Sequence, residues 1–173
     1  MSSDPRVLPT TLAAWVHQIH LAGIHPSHDD AAAYLTRIDA ATSPDEGEAA
    51  ALGLVEAIAA AVEGDSPEQV ATWARAWYGR RARTDLGAAE TREERLHGVR
   101  AYQFAHSVPW LARIWERTDG QVAPSWLVIE RVTDEVFAMD PNPWNDIDED
   151  RRLPLADFLV LWELDGATSI CLD

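Results

Sequence analysis

The 173-residue sequence predicts an α+β fold: an N-terminal two thirds of five or six helices, then a small antiparallel sheet near the C-terminus. Three observations carry this expectation. Helix start signals recur along the first two thirds, as Ser followed by Pro, or Ser or Thr followed three residues on by Gln or Glu. After Thr118-Asp119-Gly120 the pattern changes to short β-branched and aromatic runs separated by turn residues. Apolar residues at 47% and charged residues at 25% suffice for one core at this length. Residues 1–173 therefore read as a single domain, with a helical part over about 10–117 and a β-containing part over about 123–173.

The elements follow in order. Thr10 or Thr11 is placed to cap a helix running through Trp15, Ile19 and Ala22, which Gly23 stops. Ser27 precedes HDDAAAYLTRIDA, whose early acids suit the positive end of a helix. In SPDEGEAAALGLVEAIAAAVEG, Ser43 is the cap, Pro44 takes the first helical position and Gly64 marks the end. Ser66 and Gln69 form a capping box, and Thr91 and Glu94 form another before RLHGVRAYQFAH. Pro109 starts or kinks a further helix, WLARIWER. SWLVIERV and VFAMD then pair as a hairpin over 126–140 about Thr133-Asp134-Glu135. Leu127, Ile129 and Val136 face inward there, while Glu130, Arg131 and Asp134 face out. LADFLVLWEL is nearly continuously apolar and fits a helix or a buried strand; Pro154 at its start favours a short helix. Asp165-Gly166 turns the chain into a last strand near 167–172, in one sheet with the hairpin, covered by helices on one face. Trp15, Trp73, Trp77, Trp115 and Trp162 fall on apolar faces and are assigned to the core.

Charge narrows the function classes. The net charge is −15 and all fourteen basic residues are Arg, a Lys-free, Ala-rich bias that fits a high-GC bacterial genome. Such a field opposes nucleic acid and anionic membranes and favours a basic partner. The segment RAWYGRRARTD combines Arg with Trp77 and Tyr78, as a single-strand binder would. However, Trp73 and Trp77, four apart, read as a buried stripe. Cys171 is the lone cysteine, which excludes an internal disulfide and a thiolate-rich metal site. MSSDPRVLPTT lacks a signal-like apolar stretch and no run approaches a membrane span, so a cytoplasmic location is expected. Residues 75–100 hold seven Arg against four acids, and residues 134–173 hold eleven acids against two Arg. The two segments either pair with each other or form a basic and an acidic face.

Two stretches offer candidate sites. FAMDPNPWNDIDEDRRLP sets Trp144 between Pro143 and Asn145 in a loop that turn chemistry places at the surface. Trp144 either pins the loop to the domain or, with Asp146, Asp148 and Asp150, forms an acid-ringed anchor for a basic protein partner. Read from Asp146 as a calcium loop, the segment fails, with Arg151 where the turn needs Gly and Asp157 where a bidentate Glu belongs. The second stretch, HQIHLAGIHPSHDD, holds His17, His20, His25 and His28, and two HxxH pairs folded together would make a zinc site. That spacing matches no zinc motif and HExxH is absent, so no metal and no cofactor is favoured.

The order strand, turn, strand, Asp140-Pro141 and then DFL..W resembles the tail of papain-like bacterial peptidases of the C39 type, over about fifty residues. In that family a His opens the first strand and an Asp closes the second. Asp140 matches the Asp, but Ser125 stands where the His belongs and no cysteine lies upstream, so the resemblance implies a catalytically dead relative. The residues themselves favour a non-catalytic acidic protein of immunity or adaptor type that engages a basic partner. A metal-dependent enzyme using the His17–His28 cluster is the second reading.

Overall fold

Side-chain caps set three of the helix starts. The computed structural model describes residues 7–118, 120–139 and 151–173. Helices α1 (Val7–Leu21), α2 (Asp29–Ala40), α3 (Pro44–Ala61) and α4 (Pro67–Tyr78) come first, then a two-residue strand β1 (Ala82–Arg83) and α5 (Arg92–His106). Ser43 accepts the Glu46 N–H with Pro44 in the first turn of α3, Ser66 and Gln69 complete a capping box on α4, and Thr91 accepts the Glu94 N–H on α5. Gly79 closes α4 in the left-handed conformation that glycine adopts without strain.

Two helix limits differ from expectation. The described part of α1 reaches back to Val7, so neither Thr10 nor Thr11 is its cap; Thr11 lies fully buried and its hydroxyl donates to the Val7 carbonyl one turn back. α3 stops at Ala61, and Gly64, at φ +80°, serves the turn into α4.

The larger correction is WLARIWER. Trp110–Thr118 is strand β2, followed by β3 (Gln121–Val132), β4 (Glu135–Met139), β5 (Arg151–Pro154), helix α6 (Leu155–Glu163) and β6 (Ser169–Leu172). The helical run thus ends at His106, with Ser107 left-handed at the cap, and the boundary near 117 moves back by a whole element. Leu, Ala, Arg and Glu carry good helix propensity, but alternating Trp110, Ala112 and Ile114 gain more by pairing residue for residue with Ile129, Leu127 and Ser125.

One six-stranded antiparallel sheet results, in the order β1-β6-β2-β3-β4-β5. The expected hairpin is β3–β4, turning at Thr133-Asp134 with Val132 opposite Val136. A bulge lies between Ile129 and Arg131, and just beyond it the Gln103 amide of α5 bonds both the N–H and the C=O of Val132.

Helices cover both faces of the central strands, where one covered face was expected. Trp110, Leu111 and Ala112 on β2 and Leu127, Val128 and Ile129 on β3 are all buried, so neither pleat face is left to solvent. On the Trp110 face, Phe158 and Trp162 of α6 pack against that indole with centroids at 6.4 and 5.5 Å. On the other, Val7, Leu8 and Pro9 of α1 lie beside Trp126. Trp15, Trp73, Trp77 and Trp162 are core residues as expected, whereas Trp115 is only half-buried near the hairpin end. No helix among the described residues is long and apolar enough to cross a membrane.

Candidate functional site

Trp144, Asp146, Asp148 and Asp150 lie outside the described residues, as does Asp140. The rest of the calcium reading resolves into ordinary structure, with Arg151–Pro154 as strand β5 and Asp157 in the first turn of α6.

The histidines do not form one cluster. His20 Nε2 meets Asp39 Oδ2 at 2.7 Å and His20 Nδ1 meets His25 Nδ1 at 3.1 Å, tying α1, its following turn and α2 together. Burial, with His20 adding, holds the His17 imidazole below its usual pKa, so His17 is neutral at pH 7. His28 takes a separate role, stacked on Trp77 at 5.3 Å and 13°. Among the described residues no three His, Cys, Asp or Glu side chains converge as a metal-holding group.

Cys171 cannot substitute for the missing peptidase nucleophile. It is fully buried in β6, and burial pushes its thiol up to about 12, leaving no thiolate at neutral pH. Ser125 pairs with Ile114 inside the β2–β3 ladder. Nor does RAWYGRRARTD offer rings for bases, because Trp77 and Tyr78 are buried and Arg75 donates to the Ala82 carbonyl.

The opposed charge segments meet through Arg83, Arg92 and Arg95 on one side and Glu163 and Asp173 on the other. Arg92 and Arg95 of α5 grip Glu163 at the end of α6, with bonds of 2.8 to 2.9 Å, and Arg83 reaches Asp85 and Asp173. Arg113 bonds Asp165. These contacts commit the described C-terminal acids Glu163, Asp165 and Asp173 to structure.

A larger group of acids without Arg partners lies elsewhere. Between residues 29 and 68 there are ten acids, Asp29, Asp30, Asp39, Asp45, Glu46, Glu48, Glu56, Glu63, Asp65 and Glu68, against the single Arg37. All ten are exposed along α2, α3, the turn after α3 and the start of α4, and none is paired with an Arg among the described residues. Arg37 itself lies over the Tyr34 ring at 4.7 Å. Charge counted by segment reveals this layer in the sequence, but the stretch at 140–150 is locally denser in acids and overshadows it.

At one end of the layer, an open groove of about 580 Å³ is lined by Glu63, Glu68, Thr72, His28, Trp73 and Trp77. Its wall is an aromatic stack: Trp73 meets Trp77 at 4.7 Å, and Trp77 meets His28. The stack is held in place by backbone, because the Trp77 carbonyl accepts from the Ser27 N–H at 2.8 Å, the His28 N–H at 3.1 Å and the Ser27 hydroxyl at 3.2 Å. The capping box of α4 fixes Gln69 and hence the rim that carries Glu68.

No family model, curated protein or solved structure matches this chain.

Proposed function

We propose that this chain acts without catalysis, by binding a basic protein through its acidic surface in the manner of an immunity protein or adaptor. The observation that carries the reading is the layer of ten exposed acids over residues 29–68, answered by one Arg that is already engaged. Like charges gathered on neighbouring helices repel one another in the free protein, and a cationic surface relieves that repulsion on docking. The acids Asp146, Asp148 and Asp150 with Trp144 extend the same chemistry as a second contact. The Lys-free, Ala-rich composition fits a high-GC bacterial genome.

Capture of partners from the lysate of the native host tests this. The full chain, immobilised at about 50 mM salt, should retain a basic protein that elutes as ionic strength rises several-fold and the screening length shortens from about 14 to about 5 Å. The captured species, purified, must then bind the chain at about 1:1. Retention no greater than that of an unrelated protein of equal net charge would overturn the reading, as would a partner whose binding ignores salt.

A further inference from the structure

Resting on the partner-binding reading, we infer that the groove between the end of α3 and α4 receives an arginine-bearing segment of the basic partner. Three features converge there. Glu63 and Glu68 are exposed carboxylates lining one groove, and paired carboxylates suit a guanidinium, which donates in a planar fork. The groove wall is the Trp73–Trp77–His28 stack, whose indoles are buried and whose His28 ring is half-buried, a rigid lining beside the two carboxylates. Finally, Trp73 is 5% exposed and its indole N–H has no hydrogen-bond partner among the described residues, nor does His28 Nδ1. A buried indole N–H ordinarily finds an acceptor.

A peptide supplies both complements at once: a carbonyl for the indole N–H and a guanidinium for the carboxylates. A bare metal ion or an anion supplies neither combination. Trp126 is another orphan indole that lines a groove, but the wall there is Val7, Leu8, Pro9 and Val62, with Asp65 as its one carboxylate, so the chemistry for a cation is thinner. The three bonds to the Trp77 carbonyl hold the aromatic wall, and a carbonyl reaches the buried Trp73 N–H only by a local shift of that indole towards the groove.

The test is a titration of the full chain with the capped tripeptide acetyl-Gly-Arg-Gly-amide, followed by the indole N–H resonances in a nitrogen–proton correlation spectrum. Trp73→Phe assigns the Trp73 signal. That signal should move saturably at millimolar peptide, and the citrulline analogue, which keeps the shape and loses the charge on which Glu63 and Glu68 act, should bind roughly 3- to 30-fold more weakly. Glu63→Gln with Glu68→Gln should weaken the arginine peptide to the same degree while leaving the melting temperature and the free Trp73 signal in place. Equal response to the citrulline peptide, or no movement of the Trp73 signal, overturns the inference. So does a response to spermidine as strong as to the tripeptide, which would make the groove a general small-cation site. The tripeptide reports on the groove alone, and salt-dependent capture reports on partner binding alone. A partner that still binds the Glu63→Gln, Glu68→Gln double variant at full strength would remove the groove and leave the partner-binding reading standing.

Discussion

Replacing Glu163 with Gln should lower stability by about 1 kcal/mol at neutral pH and by almost nothing near pH 2. Glu163 closes α6 and is gripped by Arg92 through two 2.8 Å bonds and by Arg95 through one of 2.9 Å. The Arg92 hydrogen bonds first, and Arg95 after them, pull its carboxyl from an ordinary 4.5 to about 2 against partial burial. That difference sets a ceiling near 3 kcal/mol for the charged form. Solvent reduces it, because the Glu163 side chain is 24% exposed and that of Arg92 is 47% exposed. A bidentate pair with a second Arg then stands at the upper end of the surface range, about 1 kcal/mol. The sign follows from the lowered pKa: the contribution is complete above about pH 4.5, where the unfolded carboxyl is also ionised, and is lost as pH falls towards about 2. Thermal melts of both proteins from pH 7 to pH 2.5 provide the assay. The gap at pH 7 should be about 2–4 °C, shrinking steadily below pH 4.5. A gap that stays constant with pH would show that the substituted amide fails sterically and that the ion pairs contribute nothing.

Other perturbations have equally definite outcomes. Trp162→Ala should cost roughly 3–5 kcal/mol in urea unfolding, since the indole is fully buried on Trp110 and its N–H donates to the Thr168 carbonyl at 2.8 Å. Ser107→Gly should stabilise by about 0.5 kcal/mol, because Ser107 is exposed at φ +50° where a Cβ is strained; a loss of stability would refute that backbone argument. Trp144→Ala should cost about 3 kcal/mol if the indole pins its loop, while Asp146→Asn, Asp148→Asn and Asp150→Asn together should leave folding within about 0.5 kcal/mol. An Asp triple variant that melts as early as the Trp variant would make those acids structural. Protein purified without chelator should carry well below one zinc per chain by elemental analysis, and a full equivalent lost in His17→Ala with His20→Ala would revive the metal reading.

How far the sequence could be read depended on whether the deciding interaction was local. Ser43, Ser66 and Thr91 satisfy helix N–H groups within four residues, so those helix starts were legible without the fold. The hairpin at Thr133-Asp134 was legible for the same reason. β2 was not, because its conformation is decided by partners outside its own segment, on β3 and β6, while its own residues lean towards helix. The two-residue β1 exists only through Leu172 and Cys171, and β5 only through β4. The site divides in the same way. Trp73 and Trp77 were legible as neighbours four apart, but their use as a wall with His28 depends on bonds from residues 27 and 28 to the Trp77 carbonyl, fifty positions away. The Arg-rich and acid-rich segments allow either mutual pairing or two opposed faces, and the fold realises the pairing in part, through Glu163 and Asp173.

The central claim is that the acids over residues 29–68 steer and hold a basic protein. The association rate constant with the captured partner tests it most directly, measured by stopped flow for the natural chain and for a variant carrying Glu48→Gln, Glu56→Gln and Asp65→Asn. These three side chains are exposed and lack Arg partners among the described residues, so the variant should melt within about 2 °C of the natural chain. At about 50 mM salt its association should be roughly tenfold slower, and the difference should close towards about 0.5 M as screening removes the steering field. Equal rate constants at low salt, with both proteins folded, would contradict the account.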